Sequence, residues 1–275
     1  MDQLSSRISS EAEAVLVVAG LGGGTGSGGA PVLAEQLCQV YEIPVYVLGV
    51  LPGRDEGAIH QANTGRSLKT VVRESDAALL VDNDAWRSAG ESVAEGFESV
   101  NEQIAQRVGL LLASGEAVDG VAESVVDSSE IRNTLQSGGV ASLGYTTAPA
   151  SDDPGERVNT ITSLTRNALL TGTSLPGAVD AEAALVVIVG PPDRISRKGV
   201  ERARRWVEEE TGSLQVRGGD FPLDSDRLGA LVLLCGVERS DRLQTFMDRA
   251  REAEAEPREH SPVESVRNEQ LEDLF

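Results

Sequence analysis

The chain has 275 residues, 40% of them hydrophobic, enough to bury a full core in one large domain or two smaller ones. Its 24 basic against 44 acidic residues give a formal net charge of -20, which excludes a protein that holds nucleic acid or an anionic membrane by charge. Lys69 and Lys198 are the only lysines, and so acidic and lysine-poor a surface predicts a cytoplasm kept at high salt, where screening shortens self-repulsion.

In chain order, Ala14 to Ala19 predicts a strand, Pro31 to Tyr41 a helix, and Val45 to Leu51 a second strand. A helix from His60 to Glu74 and a strand from Ala78 to Val81 follow, and this alternation points to a parallel α/β sheet. Glu91 to Ala113 contains no proline and spaces its apolar residues helically, so one long helix is expected to bridge two domains. Beyond it come GGVASLGYT, a polar loop around SDDPGE, the helix NTITSLTRNALL, the strand AALVVIVG, the helix RKGVERARRWVEEE and the strand GALVLLCGV, a second α/β unit. From Asp248 the chain turns charged and has little to bury, which predicts a disordered tail ending in the small apolar cluster LEDLF. Cys38 and Cys235 lie in apolar contexts far apart and read as buried thiols, not a disulfide or metal site. No signal peptide or membrane-spanning run is visible, so the expected location is the cytoplasm.

Between the first strand and the first helix stands GLGGGTGSGGAP, residues 20 to 31. A strand feeding such a turn and then a helix aims unpaired N–H groups and the positive end of the helix dipole at one spot, a geometry that holds phosphate. Gly22, Gly23, Gly24, Gly26, Gly28 and Gly29 remove Cβ atoms that would block contact, and Thr25 and Ser27 offer hydroxyls to phosphate oxygens or a metal-bound water. The lysine of a Walker loop is absent. A dinucleotide site would want an acid at the end of the next strand, which instead ends Leu48-Gly49-Val50-Leu51-Pro52.

GGGTGSG at 22 to 28 is the signature of the tubulin/FtsZ superfamily, and VVAGLGGGTGSGGAPVLA resembles its CetZ branch from halophilic archaea. LPGRDEG at 51 to 57 resembles the ribose-side loop, with Glu56 at the sugar-contacting glutamate, and His60 stands where FtsZ has an arginine. LLVDNDAW places Asn83 at the guanine-reading asparagine. On the long helix Phe97 and Asn101 fall at the positions that stack on the base and bond to its edge, and their i, i+4 spacing puts them on one face. ESVVDSSEIRNTL at 123 to 135 resembles the synergy loop that one subunit inserts into its neighbour's nucleotide site, with Asp127 and Glu130 at its acidic positions and Val125 where FtsZ has an asparagine. Read without the resemblance, Asp127 and Glu130 are good helix-entry residues.

The resemblance implies an α/β chain: an incomplete Rossmann-like parallel-sheet GTPase domain over 1–113 ending in the long core helix, and a second α+β domain with a four-stranded mixed sheet over 114–247. An acidic disordered tail over 248–275 follows, a possible docking site for a partner. It implies GTP and GDP as ligands, Mg2+ carried by the nucleotide, head-to-tail self-association, other CetZ or FtsZ-like proteins as partners, and a role in cell shape. Family members have a longer stretch before the strand Ala14 to Ala19, with a first strand and a second phosphate-gripping loop, whereas only MDQLSSRISSEAE precedes that strand here. Three expectations stay open: a filament-forming GTPase read from an incomplete chain, a non-hydrolysing regulator that caps filaments through Asp127 and Glu130, or an unrelated α/β nucleotide-dependent enzyme, against which stands the isolation of His60 and His260 from any catalytic or metal cluster in the sequence.

Overall fold

The computed structural model describes residues 8–86, 93–116, 126–238 and 240–255. β1 (Val15–Gly20) leads into α1 (Gly24–Val40), and β2 (Val45–Leu51), α2 (Ala58–Glu74) and β3 (Ala77–Asp82) complete two crossovers. The three strands are parallel, Val15 standing opposite Val45 and Tyr46 opposite Ala77. β2 and β3 are covered on both faces, which is why VYVLGVL and AALLVD are nearly unbroken apolar runs without alternation. β1 is the outer strand of the sheet, and its Val18 is 64% exposed.

The long α3 (Val93–Gly115) and the short α4 (Ser128–Leu135) lie between this half and the next. There β4 (Val140–Pro149), α5 (Pro154–Leu170), β5 (Ala183–Gly190), α6 (Arg197–Thr211), β6 (Gln215–Pro222), β7 (Arg227–Cys235) and α7 (Asp241–Ala255) follow in turn. β7 pairs antiparallel with both β4 and β5, and β5 pairs parallel with β6 through the α6 crossover, giving the four-stranded mixed half. Only Ala78 with Val140 and Leu79 with Ala141 join β3 to β4, making one sheet in the order β1-β2-β3-β4-β7-β5-β6. A single apolar layer crosses that seam, running from Leu48 and Leu79 through Leu111 and Leu135 to Leu143 and Leu231. The opposite face of the parallel half packs α1, α2 and α7 through Leu37, Leu68, Val71 and Phe246. No helix among the described residues is long and apolar enough to cross a membrane.

Several local expectations need correction. α1 starts at Gly24, so the glycine run forms its first turns and Pro31 lies inside the helix, not at its start. Gly26 sits so close to the end of β1 that a Cβ there would stand 2.0 Å from the Gly20 carbonyl oxygen, a docking only glycine permits. The polar SDDPGE stretch is a helix entry: the Asp153 carboxylate accepts from the Gly155 N–H and Pro154 opens α5. Residues 248–255, expected to belong to a disordered tail, are helical instead, because α7 continues through Ala255 with Phe246 and Ala250 buried; the rest of that expectation, residues 256–275 with LEDLF, lies outside the described residues. Cys235 is buried, but Cys38 is exposed, and both are free thiols.

Candidate functional site

Parallel strands end at one edge of a sheet, so the turns after β1, β2 and β3 gather there. The glycine turn is tied to its neighbours by the Leu21 N–H donating to Val50 O at 2.9 Å and by Asn63 Nδ2 donating to Gly22 O at 3.1 Å. Gly22 is buried, and a Cβ on it would come within 3.2 Å of His60 Cβ. Gly23, Gly24 and Gly28 are different: they are exposed, and a Cβ on any of them would meet nothing within 4 Å. Their bareness therefore serves no internal packing and leaves the backbone open to something outside. Gly23 caps α1 without a side-chain hydrogen bond, and no acidic residue stands in the first turn. The first amides of α1 thus keep their full attraction for an anion. Thr25 is exposed beside them, and Ser27 Oγ leans back to Gly24 O at 3.4 Å.

Two of the expected nucleotide residues touch each other. Asn83 Nδ2 donates to Glu56 Oε1 at 2.9 Å, and the same carboxylate oxygen accepts from the Gly53 N–H at 2.9 Å. The Asn83 N–H donates to Leu51 O, so the turn after β3 is stitched to the end of β2. Gln61, buried at the start of α2, holds the other side of this loop through Gly53 O and Glu56 O. Phe97 and Asn101 are both exposed on the amino-terminal half of α3, Phe97 at 44%. Among the described residues no hydrogen bond joins them to the Glu56–Asn83 pair.

Arg107, further along α3, was not singled out by the sequence. It is 3% exposed and donates to the carbonyls of Gly172, Tyr145 and Gln103 while stacking 4.2 Å over the ring of Trp86, three residues past Asn83. Burial pulls its pKa down to about 10. The only signal was one arginine on an otherwise apolar helix face, AQRVGLLLA.

Asp127 and Glu130 lie elsewhere. Asp127 caps α4, its carboxylate accepting from the Glu130 N–H at 3.0 Å and Ser129 Oγ at 2.5 Å, and these bonds hold its pKa below the usual value. α4 sits at the beginning of the parallel strands: Arg132 pairs with Glu13 at 3.7 Å, and Ser128, Ile131 and Arg132 line a cavity with Ala14 and Tyr46. Strands of six or seven residues, at about 3.3 Å each, span roughly 20 Å. The acidic pair and the glycine turn of one chain are therefore at opposite edges. Val125 and the residues from 117 lie outside the described residues.

Family models match the chain in two pieces: the Tubulin/FtsZ family GTPase domain over residues 1–91, and the tubulin-like CetZ C-terminal domain over 90–252. The tubulin-like protein CetZ2 of Haloferax volcanii is 66% identical over 279 residues, covering 100% of this chain and 77% of that protein. CetZ1 of the same organism is 48% identical over 89% of this chain and 68% of its own length. Among solved structures, the GTPgS-bound CetZ2 protofilament superposes with a TM-score of 0.87 at 67% identity, over 92% of this chain and 74% of that one. The GDP-bound CetZ1 monomer gives 0.82 at 47% identity, over 92% and 73%. An FtsZ structure from M. jannaschii, at 19% identity and TM-score 0.72 over 86% and 69%, shares the fold.

Proposed function

From the premise that this chain belongs to the CetZ family of tubulin-like proteins, we propose that it binds GTP and GDP, assembles head to tail into filaments, and hydrolyses GTP between subunits. The observation that carries the reading is the separation of the two half-sites. The open glycine turn, with Gly22, Gly23, Gly24, Thr25, Gly26, Ser27 and Gly28, is at the carboxyl edge of the parallel strands, and Asp127 and Glu130 are at the amino edge. Carboxylates about 20 Å away cannot reach the phosphates of their own subunit. They reach a neighbour's when copies stack with one edge against the other, which makes hydrolysis depend on assembly.

In this scheme the α1 amides and Thr25 hold phosphate, Glu56 binds the sugar, Asn83 and Asn101 read the guanine, and Phe97 stacks on it. Asp127 and Glu130 of the adjoining subunit orient and polarise the attacking water. Mg2+ carried by the nucleotide would supply positive charge at the phosphates. The described residues contain no cluster of three His, Cys, Asp or Glu side chains to hold it independently, and the exposed hydroxyl of Thr25 would meet a metal-bound water. Such filaments would act in the cytoplasm on cell shape.

The test is complementation in trans. Asn83→Ala removes the base contact and leaves the acidic edge; Asp127→Asn with Glu130→Gln does the reverse. Each protein alone should lose GTP turnover by on the order of 10²-fold, and a mixture should recover a substantial part of it, because one variant supplies the nucleotide and the other the carboxylates. A mixture no more active than its parts defeats the shared-site reading. Unchanged turnover in the doubly substituted acidic variant removes those residues from catalysis, and a chain that slows a relative's assembly without binding GTP is a cap.

A further inference from the structure

The densest cluster of buried charge among the described residues lies where α7 meets the turn after β3. That turn reads Asp82-Asn83-Asp84, a carboxylate on each side of the asparagine. Arg242, in the first turn of α7, engages both: its Nε donates to Asp82 Oδ2 and its Nη2 to Asp84 Oδ2 at 2.8 Å. The aspartate side chains are 4% and 7% exposed. Asp84 Oδ2 also accepts from the Arg54 backbone N–H at 3.0 Å and from Arg54 Nε at 3.3 Å, so one carboxylate binds the 51–57 loop to the α7 guanidinium. Within the turn the Asp84 N–H donates to Asp82 Oδ1 at 2.9 Å, and the Asp82 N–H to Ser174 O at 2.9 Å.

Burial pushes the Asp84 carboxyl up, but its bonds from Arg54 and the charge of Arg242 outweigh this and hold it below the usual range. The bond to Asp82 raises Arg242 in turn. Asp84 and Arg242 are thus ionised at neutral pH. Buried ion clusters of this kind add little net stability, because desolvation offsets most of the attraction. α7 also has other anchors. Phe246 and Ala250 are buried, Ala250 lies so close to α2 that a Cβ on Gly65 would stand 2.6 Å from its own Cβ, and Glu254 pairs with Arg66 at 2.9 Å. What the Arg242 cluster adds is geometry: it fixes from both sides the residue whose side chain bonds to Glu56.

We infer that Arg242 is a positioning residue for the nucleotide site, locking the Asp82–Asn83–Asp84 turn so that Asn83 and Glu56 face base and sugar, and thereby coupling α7 to nucleotide occupancy. The inference rests on the reading that Asn83 and Glu56 contact the nucleotide. Coupling of this kind is reciprocal: if α7 holds the turn in its binding geometry, nucleotide must steady α7.

The experiment titrates the full chain with GDP and with ADP at fixed salt, for wild type, Arg242→Gln, Arg242→Lys and Arg251→Gln, each checked by a thermal melt. Arg251 is an exposed arginine of the same helix, paired with Asp248, and its variant should bind as wild type does. Arg242→Gln should weaken GDP by about tenfold and narrow the GDP-to-ADP ratio, a selectivity loss that mere loosening of the fold would not produce. Arg242→Lys should fall between, because an ammonium cannot fork across two carboxylates. Amide hydrogen exchange of wild type, with and without GDP, supplies a reading independent of whether the variants fold: residues 241–255 should exchange more slowly with GDP bound. Wild-type binding with unaltered α7 exchange overturns the inference, as does an Arg242→Gln variant of unchanged affinity and selectivity. A wild-type chain that binds no GDP overturns the nucleotide reading itself, and this coupling with it.

Discussion

Gly26 and Gly24 belong to one run and meet opposite surroundings. A methyl group on Gly26 would strike the Gly20 carbonyl, which is backbone and cannot step aside, so Gly26→Ala should cost on the order of 3 kcal/mol in a calorimetric melt. A methyl group on Gly24 meets open space, and alanine in a helix gains roughly 0.5 to 1 kcal/mol over glycine. Gly24→Ala should therefore melt no lower than wild type and still lose GDP affinity, since its Cβ occupies the ligand's approach. Equal melting of the two variants would mean that the close docking of α1 on β1 is wrong. The thiols divide in the same manner. Burial pushes Cys235 up to about 11, whereas Cys38 is exposed and raised by partial burial and Asp76. Alkylation of the native chain, read by mass spectrometry, should label Cys38 first and at a rate still climbing above pH 9, with Cys235 labelled after unfolding. None of these contrasts was legible in the sequence, because each depends on what lies opposite. The motif resemblance named Glu56 and Asn83 separately, but 27 positions of separation say nothing of a 2.9 Å bond.

At the scale of elements, Asp127 shows how one residue serves two ends. Its carboxylate caps α4, so Asp127→Ala should cost about 1 kcal/mol, whereas Asp127→Asn keeps an acceptor for the Glu130 amide and should melt nearly as wild type does. Comparing the two in melting and in GTP turnover separates the cap from catalysis: turnover lost in both with stability lost in one assigns the charge itself a role. The folded-state pKa of Asp127 is depressed, so the stabilisation by its ionised form is present above the unfolded value and lost as pH falls through the folded one. The α4 contribution should weaken only on the acid side of the ordinary carboxylate range. Other elements were legible in proportion to their burial. β2, β3 and β5 are buried along nearly their whole length and read directly as apolar runs. β6 does not read as a strand from its pattern because QVRGGDFP, paired only with β5 at the end of the sheet, needs few apolar residues. α7 was half lost in a charge-rich segment, since Leu243, Phe246, Met247 and Ala250 mark a single narrow face.

For the whole molecule the sheet order follows from alternation and crossovers, but its continuity does not: two residue pairs at the β3–β4 seam join halves that the sequence presents as separate units. Charge works at this same scale. A net charge of -20 opposes both compaction and the stacking of like subunits, and the Debye length shrinks from about 10 Å at 0.1 M salt to about 3 Å at 1 M. Melting temperature and GTP-dependent light scattering should therefore rise as KCl is raised from about 0.1 M to 1 M. Salt also strengthens apolar burial, and the two causes part in their ion dependence: screening follows ionic strength alike for chloride and sulfate, whereas the apolar effect grows faster with sulfate and continues at high concentration. A charge-reduced chain separates them again. Glu208, Glu209 and Glu210 are exposed in the last turn of α6, where the helix dipole also opposes negative charge. Changing all three to Gln should move the rise to lower salt if repulsion limits folding and assembly. A curve that keeps its midpoint in that variant, and steepens with sulfate, would assign the salt requirement to burial across the seam and leave the acidic surface as solvation alone.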